Sequence, residues 1–362
     1  MADRRGPGWA ALALAVIGAG WAIAVSALVF PELSDNKDEA VYLLQAETLR
    51  RGHLFPPAPA PADAFTPWLG VPAGDHFVLK YTPVHAGIIA VAGTVFGHDR
   101  AALGVIAAAA ILACYLLARE LSGNATQGLV AAAFFTASPL FLVQSATFLS
   151  YLSTLTLLMV FAAALVGGVR RQSPVWLLAS GFALGMALFS RPFDTLLFAA
   201  PLGGWWLVGR GATGRRLARE ARWLALGGAA PAAAMMWYCR LATGSYLRLP
   251  FTLTDPTDTL GFGLRRMFPG QVPIDYTPVE AIQGAVRLGG LTGVWVFGGF
   301  ALMALAVTGW RSASGPARWL GFVAVTVPLG YGFFWGSYGS TQWGGPWRYG
   351  PFYWLPVLVP LV

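Results

Sequence analysis

Residues 9–30, WAALALAVIGAGWAIAVSALVF, carry no charge and follow closely after a basic pair, Arg4 and Arg5. A helix crosses the hydrocarbon layer of a bilayer with about 20 consecutive apolar residues. Trp9–Phe30 therefore reads as a first transmembrane helix. Basic residues stay on the cytoplasmic side, so the pair places the N-terminus there. A cleaved signal peptide is the alternative. The length of the run and the absence of a clear polar cleavage region argue against it.

Outward from this helix the same pattern recurs. Further apolar runs lie near 101–118, 125–144, 150–169, 174–190, 195–209, 223–239, 288–310, 319–336 and 349–362. The expected fold is an all-α polytopic membrane protein, a single module over 1–362 with about ten spans. Composition agrees: of 362 residues, 56% are hydrophobic and 11% charged, against about 25% charged in soluble domains. The net charge of +8 sits in short clusters between apolar runs. It is read as orienting the spans, with no nucleic acid as partner. Cys114 and Cys239 fall inside apolar runs and read as packing residues. The sequence stops at Val362 inside an apolar run, which reads as the cut end of a longer protein, with a short last helix as the alternative.

Pro83–Phe96 is apolar but short for a span. If it lies at the membrane surface, the loops holding Arg119, Arg170–Arg171, Arg210–Arg222 and Arg311–Arg318 all become cytoplasmic, as basic short loops prefer. It is read as a juxtamembrane, half-inserted helix. The outer face then carries a long first loop, 31–100, and a second, 241–287. The aromatic residues Trp335, Tyr338, Trp343, Trp347 and Tyr349 read as an interfacial belt rather than a sugar-stacking platform.

Half of the sixteen carboxylates lie in the first loop (Glu32, Asp35, Asp38, Glu39, Glu47, Asp63, Asp75 and Asp99), with all four histidines and both lysines, Lys37 and Lys80. No Asp, Glu, Lys or His lies mid-span, where ion-coupled transporters place them. Chemistry at the outer surface is thereby favoured over transport. A helix is predicted from near Asn36 to near Gly52, with Asp38, Tyr42, Gln45 and Leu49 on one face. Asn36 and Glu39 have capping-box spacing, the preferred reading of Glu39. Asp38 reads equally as a first-turn acid or as a substrate-facing carboxylate. Lys80 beside Tyr81 reads as a snorkelling anchor or a phosphate ligand. Arg191 and Asp194 read either as a mutual clamp or as a phosphate site. Arg348 reads as a second phosphate ligand or an anchor. The second loop, with Asp255, Asp258 and Arg265–Arg266, reads as a solvated connector with an interfacial basic pair, or as a cover for the acceptor.

The ordered set Asp38-Glu39, Tyr42, Gly52-His53-Leu54, Lys80-Tyr81-Thr82-Pro83 and Phe96-Gly97 resembles the first outer loop of GT-C glycosyltransferases. Protein O-mannosyltransferases and the bacterial aminoarabinose transferase family are the nearest in pattern. Ala118–Gly123 and Trp347-Arg348-Tyr349 with Pro356 resemble later segments of the same families. The resemblance implies a bundle in the plasma membrane of a bacterium. It also implies transfer of a sugar from a polyprenyl-phosphate carrier to a hydroxyl of a protein, lipid or polysaccharide, with inversion. Asp38 would be the general base and Lys80 a ligand of the leaving phosphate. Tyr81, Tyr42, Glu39, Arg191 and Arg348 complete the candidate substrate site. Two departures stand out. Phe148–Ser153 lacks the second Asp of some relatives. Leu79 replaces the Glu through which the aminoarabinose enzymes hold zinc, so no metal ligand is assigned and a divalent ion is at most optional. The rival readings are a transporter or lipid flippase, and a non-catalytic relative.

Overall fold

The structure is a computed structural model and describes residues 6–362; Arg4 and Arg5, on which the orientation rests, lie outside the described residues. The first apolar run forms α1 (Gly6–Leu28). Its buried face is a stripe of small residues, Ala11, Ala15, Gly18, Ala22 and Ser26, while Trp9, Val16, Ile17 and Trp21 point outward. That is the pattern of a helix whose backbone packs closely on a neighbour and whose bulky side chains meet lipid. The neighbour is α4 (Arg100–Ser122), where Gly104 packs against the Ile23 side chain, which an added Cβ would have to displace.

Between them the chain forms α2 (Asp38–Arg50), a hairpin of β1 (Gly70–Ala73) and β2 (His76–Leu79), and α3 (Val84–Phe96). The hairpin pairs Gly70 with Leu79 and Ala73 with His76, and turns at Gly74 with φ 71°, a conformation that favours glycine. Arg100, the first residue of α4, donates to the carbonyl oxygens of Phe30 (3.5 Å) and Pro31 just beyond α1. The segment 31–99 thus leaves and re-enters the bundle at one end. With 13 residues, α3 is about 20 Å long, short of the roughly 30 Å hydrocarbon layer. It does not carry the chain to the opposite end. It runs beside α2 in the same direction, with Tyr42 against His85 near the start and Arg50 paired with Asp99 near the finish.

The expected run 125–144 divides into α5 (Ala125–Ala137) and α6 (Pro139–Gln144). Pro139 forces the preceding Ser138 into extended backbone. Next come α7 (Tyr151–Arg171), nearly all buried, α8 (Pro174–Ser190) and α9 (Pro192–Gly204). The last continues as a π-helical turn, Trp205–Gly209. The 30-residue α10 (Gly214–Thr243) meets α8 backbone to backbone at Gly181 and Gly227. The second loop contains a short antiparallel pair, β3 (Gly263–Arg265) and β4 (Ile274–Tyr276).

The two later spans are bent. α11 (Pro278–Trp295) opens with a capping box of Thr277 and Glu280 and meets α12 (Gly299–Ser312) at 100°. α13 (Gly315–Gly321) and α14 (Val323–Tyr331) meet α15 (Trp335–Gln342) at 79°. α16 (Gly345–Tyr349) and a last helical segment, Phe352–Leu361, complete the chain. Three helices, α1, α4 and α7, are individually long and apolar enough to cross a membrane, or up to five counting each bent pair as one.

The bundle has two chemically distinct ends. At one, Glu120 accepts from Arg170 and Arg171, with Arg119 at 3.7 Å. Glu220 accepts from Arg210, Arg216, Gln172 and Trp206. Trp310 and Ala317, at the Arg311–Arg318 turn, line a cavity with Leu121 and Ser122 at this same end. All four arginine-bearing turns therefore share it. The candidate residues gather at the other.

Candidate functional site

The site is built where α2, the β2–α3 junction, the start of α7 and the α8–α9 turn converge. Tyr81 is fixed from several sides. Its carbonyl accepts from Gln45 of α2 (3.2 Å) and from the Tyr238 hydroxyl of α10 (3.3 Å), while the next residue, Thr82, bonds the Phe189 carbonyl at the end of α8 (2.5 Å). So held, the Tyr81 hydroxyl donates to Asp38 Oδ2 at 2.7 Å. The indole N–H of Trp68, just before β1, donates to Asp38 Oδ1 at 3.3 Å. Burial and the neighbouring Asp38 charge push the Tyr81 phenol well above its ordinary range, so it stays protonated and acts as a donor.

Tyr42, one turn along α2, stacks on Tyr81 with centroids 4.9 Å apart and shares a 2.8 Å hydrogen bond with Ser150. Ser150 also accepts from Arg191 (3.3 Å). The Arg191 guanidinium lies 3.9 Å from the centre of the Tyr151 ring and donates to Asp194 Oδ2 at 2.8 Å. Asp194 Oδ1 in turn accepts from the Tyr331 hydroxyl at 2.8 Å. The clamp reading of Arg191 and Asp194 is thus what the geometry contains. The second terminal nitrogen of Arg191 makes no hydrogen bond among the described residues.

Lys80 is buried, and its ammonium donates to Asp258 Oδ2 at 2.5 Å, over the ring of Phe251 at 4.1 Å. Neither reading made of it from sequence, a snorkelling anchor or a free phosphate ligand, includes this carboxylate. Asp258 is held on its other oxygen by Trp335 Nε1 (3.0 Å). Its carboxyl is raised above the usual range by burial, a rise opposed by Lys80. Asp255 is buried as well and pairs with Arg266 at 2.5 Å. The second loop is therefore not the solvated connector expected. It is pinned by two buried carboxylates, Asp255 and Asp258. Arg348 pairs with Asp35, both exposed, and the Asp35 amide donates to the Tyr349 hydroxyl at 2.7 Å. Arg348 thus meets the approach to α2 rather than the cluster around Asp38.

Glu39 corrects the capping-box expectation. The N-terminus of α2 has no side-chain cap from Lys37, and the Asp38 amide bonds Asn36 Oδ1 (3.1 Å). Glu39 instead points inward, accepting from the Phe148 amide (3.3 Å) and from Ser34. Burial raises its carboxyl above the ordinary 4.5, with the two hydrogen bonds opposing the rise. An acid whose folded pKa is raised stabilises the fold below its unfolded pKa and loses that contribution as pH climbs through the folded value. Glu39→Gln keeps an acceptor for Phe148 and cannot ionise. Its melting temperature in detergent should therefore gain on the wild type's as the pH climbs above the ordinary 4.5; parallel pH profiles for the two proteins would show that Glu39 is not the titrating group.

Three further segments singled out in the sequence take these places. Phe148–Ser153, without the second Asp, contributes the Phe148 amide to Glu39 and Ser150 to Tyr42, and Ser153 bonds His85 Nδ1 (2.9 Å). Of the aromatic residues read as an interfacial belt, Trp343 and Trp347 are exposed, but Trp335 and Tyr349 are buried. Leu79, at the position of the zinc-binding Glu, is packed against Val41 and Leu69. An apolar wall offers no ligand there, and no three His, Cys, Asp or Glu residues converge among the described residues.

Residues 80–238, less than half of the chain, match the family model described as dolichyl-phosphate-mannose-protein mannosyltransferase. No curated protein shows significant similarity to the sequence. Among solved structures, ArnT from Cupriavidus metallidurans, crystallised with undecaprenyl phosphate, is similar with TM-score 0.58 and 15% identity, over 98% of this chain and 59% of that one. The archaeal oligosaccharyltransferase AglB from Archaeoglobus fulgidus, in complex with an inhibitory peptide and a dolichol-phosphate, gives TM-score 0.48 and 14% identity over 98% and 56%. The chain thus spans about three-fifths of the length of the ArnT structure. The family match contains the Lys80–Pro83 motif, and the chain shares the membrane-bundle fold of ArnT along nearly its whole length.

Proposed function

We propose that the protein transfers a sugar from a polyprenyl-phosphate carrier to an acceptor hydroxyl at the end of the bundle where Asp38 lies, on the extracytoplasmic side. The observation that carries this reading is the state of Asp38. It is partly exposed and, among the described residues, accepts only from neutral donors, Tyr81 and Trp68. Asp258, Asp194 and Asp35 each hold a cation, and Glu39 is sealed from solvent. Asp38 is the carboxylate of the group oriented for, and open to, a proton.

In the proposed reaction the acceptor hydroxyl gives its proton to Asp38 as its oxygen bonds to the anomeric carbon. The bond from that carbon to the phosphate oxygen breaks, and the lipid phosphate leaves with the electron pair. The charge growing on it needs fixed cations. Arg191 has a terminal nitrogen with no hydrogen bond among the described residues, and Lys80 is the second cation, reached by the phosphate when Asp258 lets go. The match to a mannosyltransferase family and the lipid phosphate held by ArnT support the choice of donor. A single displacement inverts the anomeric centre.

The test is transfer from a labelled polyprenyl-phosphate sugar by the full chain in proteoliposomes, with a membrane extract as acceptor source. Label should enter an acid-labile glycosidic bond of configuration opposite to that of the donor. Movement of intact donor across the bilayer with no new bond would instead identify a flippase.

A further inference from the structure

The net charge of +8 is not spread over the molecule. The end of the bundle opposite Asp38 carries Arg119, Arg170, Arg171, the five arginines of 210–222, Arg311 and Arg318 against two carboxylates, Glu120 and Glu220, so the whole excess lies there. Both carboxylates are buried and hold arginine side chains from beneath. The surface that faces outward is cationic.

These arginines concentrate along one seam, between the α7–α8 turn and α10. Arg215, Arg219 and Arg222 follow one another at i, i+4 and i+7 and are all exposed. They form a stripe about 10 Å long on a single face of α10. Arg219 reaches across to Gln172 Oε1 at 2.7 Å and so sets the stripe beside Arg170 and Arg171 at the end of α7. The side chains of Arg215 and Arg222 make no hydrogen bond or ion pair among the described residues. Like charges at this spacing repel, and they stand at the end of α10 where the helix dipole is itself positive. A bound anion removes both costs.

The rest of that helix face identifies the class of anion. Beyond Arg222 it continues with Leu226, Ala233 and Trp237, all exposed. It passes from basic to apolar within one turn, as a surface does where bilayer headgroups give way to hydrocarbon. Arg171 lies 4.6 Å from the centre of the Trp176 ring and Arg222 lies 4.7 Å from that of Trp223, and tryptophan collects at the headgroup level. A soluble polyphosphate would use the cations alone. A phospholipid uses them for its phosphates and lays its acyl chains on the apolar face beside them. The arginines fall into two groups, on α10 and at the end of α7, on either side of the Gln172–Arg219 bond. We propose that this seam binds an anionic phospholipid with two phosphate groups, of the cardiolipin type, from the leaflet that meets the arginine end. Basic pockets between helices suit such headgroups. The proposal is independent of the transferase reading.

The experiment uses the full chain in detergent and native mass spectrometry with added cardiolipin, phosphatidylglycerol or phosphatidylcholine, and inorganic pyrophosphate as competitor. Cardiolipin should bind one per chain and most tightly, with phosphatidylcholine weakest. Arg215→Gln combined with Arg222→Gln removes two cations that hold no ion-pair partner among the described residues, so the bundle keeps its packing. It should weaken cardiolipin binding by about thirtyfold, roughly fivefold for each arginine. Arg311→Gln combined with Arg318→Gln removes the same charge from the α12–α13 turn and should leave binding nearly unchanged. Cardiolipin should also raise the thermal midpoint of the wild type more than that of the α10 variant. Equal weakening by both pairs would mean a diffuse field that only orients the spans. Equal affinity for phosphatidylglycerol at matched phosphate would mean no paired site, and displacement by pyrophosphate at equal concentration would mean a soluble ligand. Each of these three results overturns the proposal.

Discussion

Asp38→Asn should cut sugar transfer by about 10²–10⁴-fold, the usual contribution of a positioned general base, while the protein inserts and melts as the wild type does. The amide is nearly isosteric with the carboxylate, so α2 and its packing are retained. What changes is acceptor capacity. Asp38 presents an oxygen to Tyr81 and another to Trp68, whereas Asn has a single oxygen and must turn an NH₂ toward one of these donors. The 3.3 Å indole bond is the weaker and is the one to go. The loss should fall on kcat, because the proton is taken only as the new bond forms. A variant with wild-type turnover in the proteoliposome assay would remove Asp38 from the chemistry.

Glu220→Leu should lower stability by about 3–5 kcal/mol, the cost of removing one member of a buried charged group. Glu220 is buried and accepts from Arg210, from Arg216 Nε at 3.1 Å, from Gln172 at 3.1 Å and from the Trp206 indole at 2.9 Å. The Arg210 side chain is only 10% exposed, so a leucine would strand its charge in an apolar setting. The residues joined here come from the end of α7, the π-turn after α9 and the start of α10. Their release should unlatch the end of the bundle opposite Asp38. Thermal unfolding in detergent measures the effect, and an unchanged midpoint would show that the arginines find other partners.

The helical bundle was legible because apolar runs of spanning length have few alternative structures. Where the reading of spans changed, the cause is local. Pro139 divides one run, and Val296–Gly298 turns another through 100°; neither break interrupts the apolar character by which a span is recognised. In the candidate site, the one-face spacing of Asp38, Tyr42 and Gln45 was visible because helical periodicity is a local property. The Lys80–Tyr81 pair was visible as a motif. Partners far along the chain were not. Asp258 lies 178 residues from Lys80, and nothing in its own neighbourhood distinguishes it from a loop acid in water. Trp68 carried no signal at all. Glu39 was misread because capping spacing is a necessary feature of a capping box and not a sufficient one.

The bond between Lys80 and Asp258 has a consequence for how tightly any anion can be held there. Asp258 belongs to the chain, sits on a loop already folded against Trp335, and occupies the ammonium before a diffusing ligand arrives. It behaves as a competitor supplied in cis at a high effective concentration. The observed affinity of Lys80 for a phosphate is then its intrinsic affinity reduced by the fraction of time Asp258 lets go. Weakening that carboxylate, rather than strengthening the lysine, is the direct route to a tighter anion site, and occupancy by phosphate would be felt across the whole second loop.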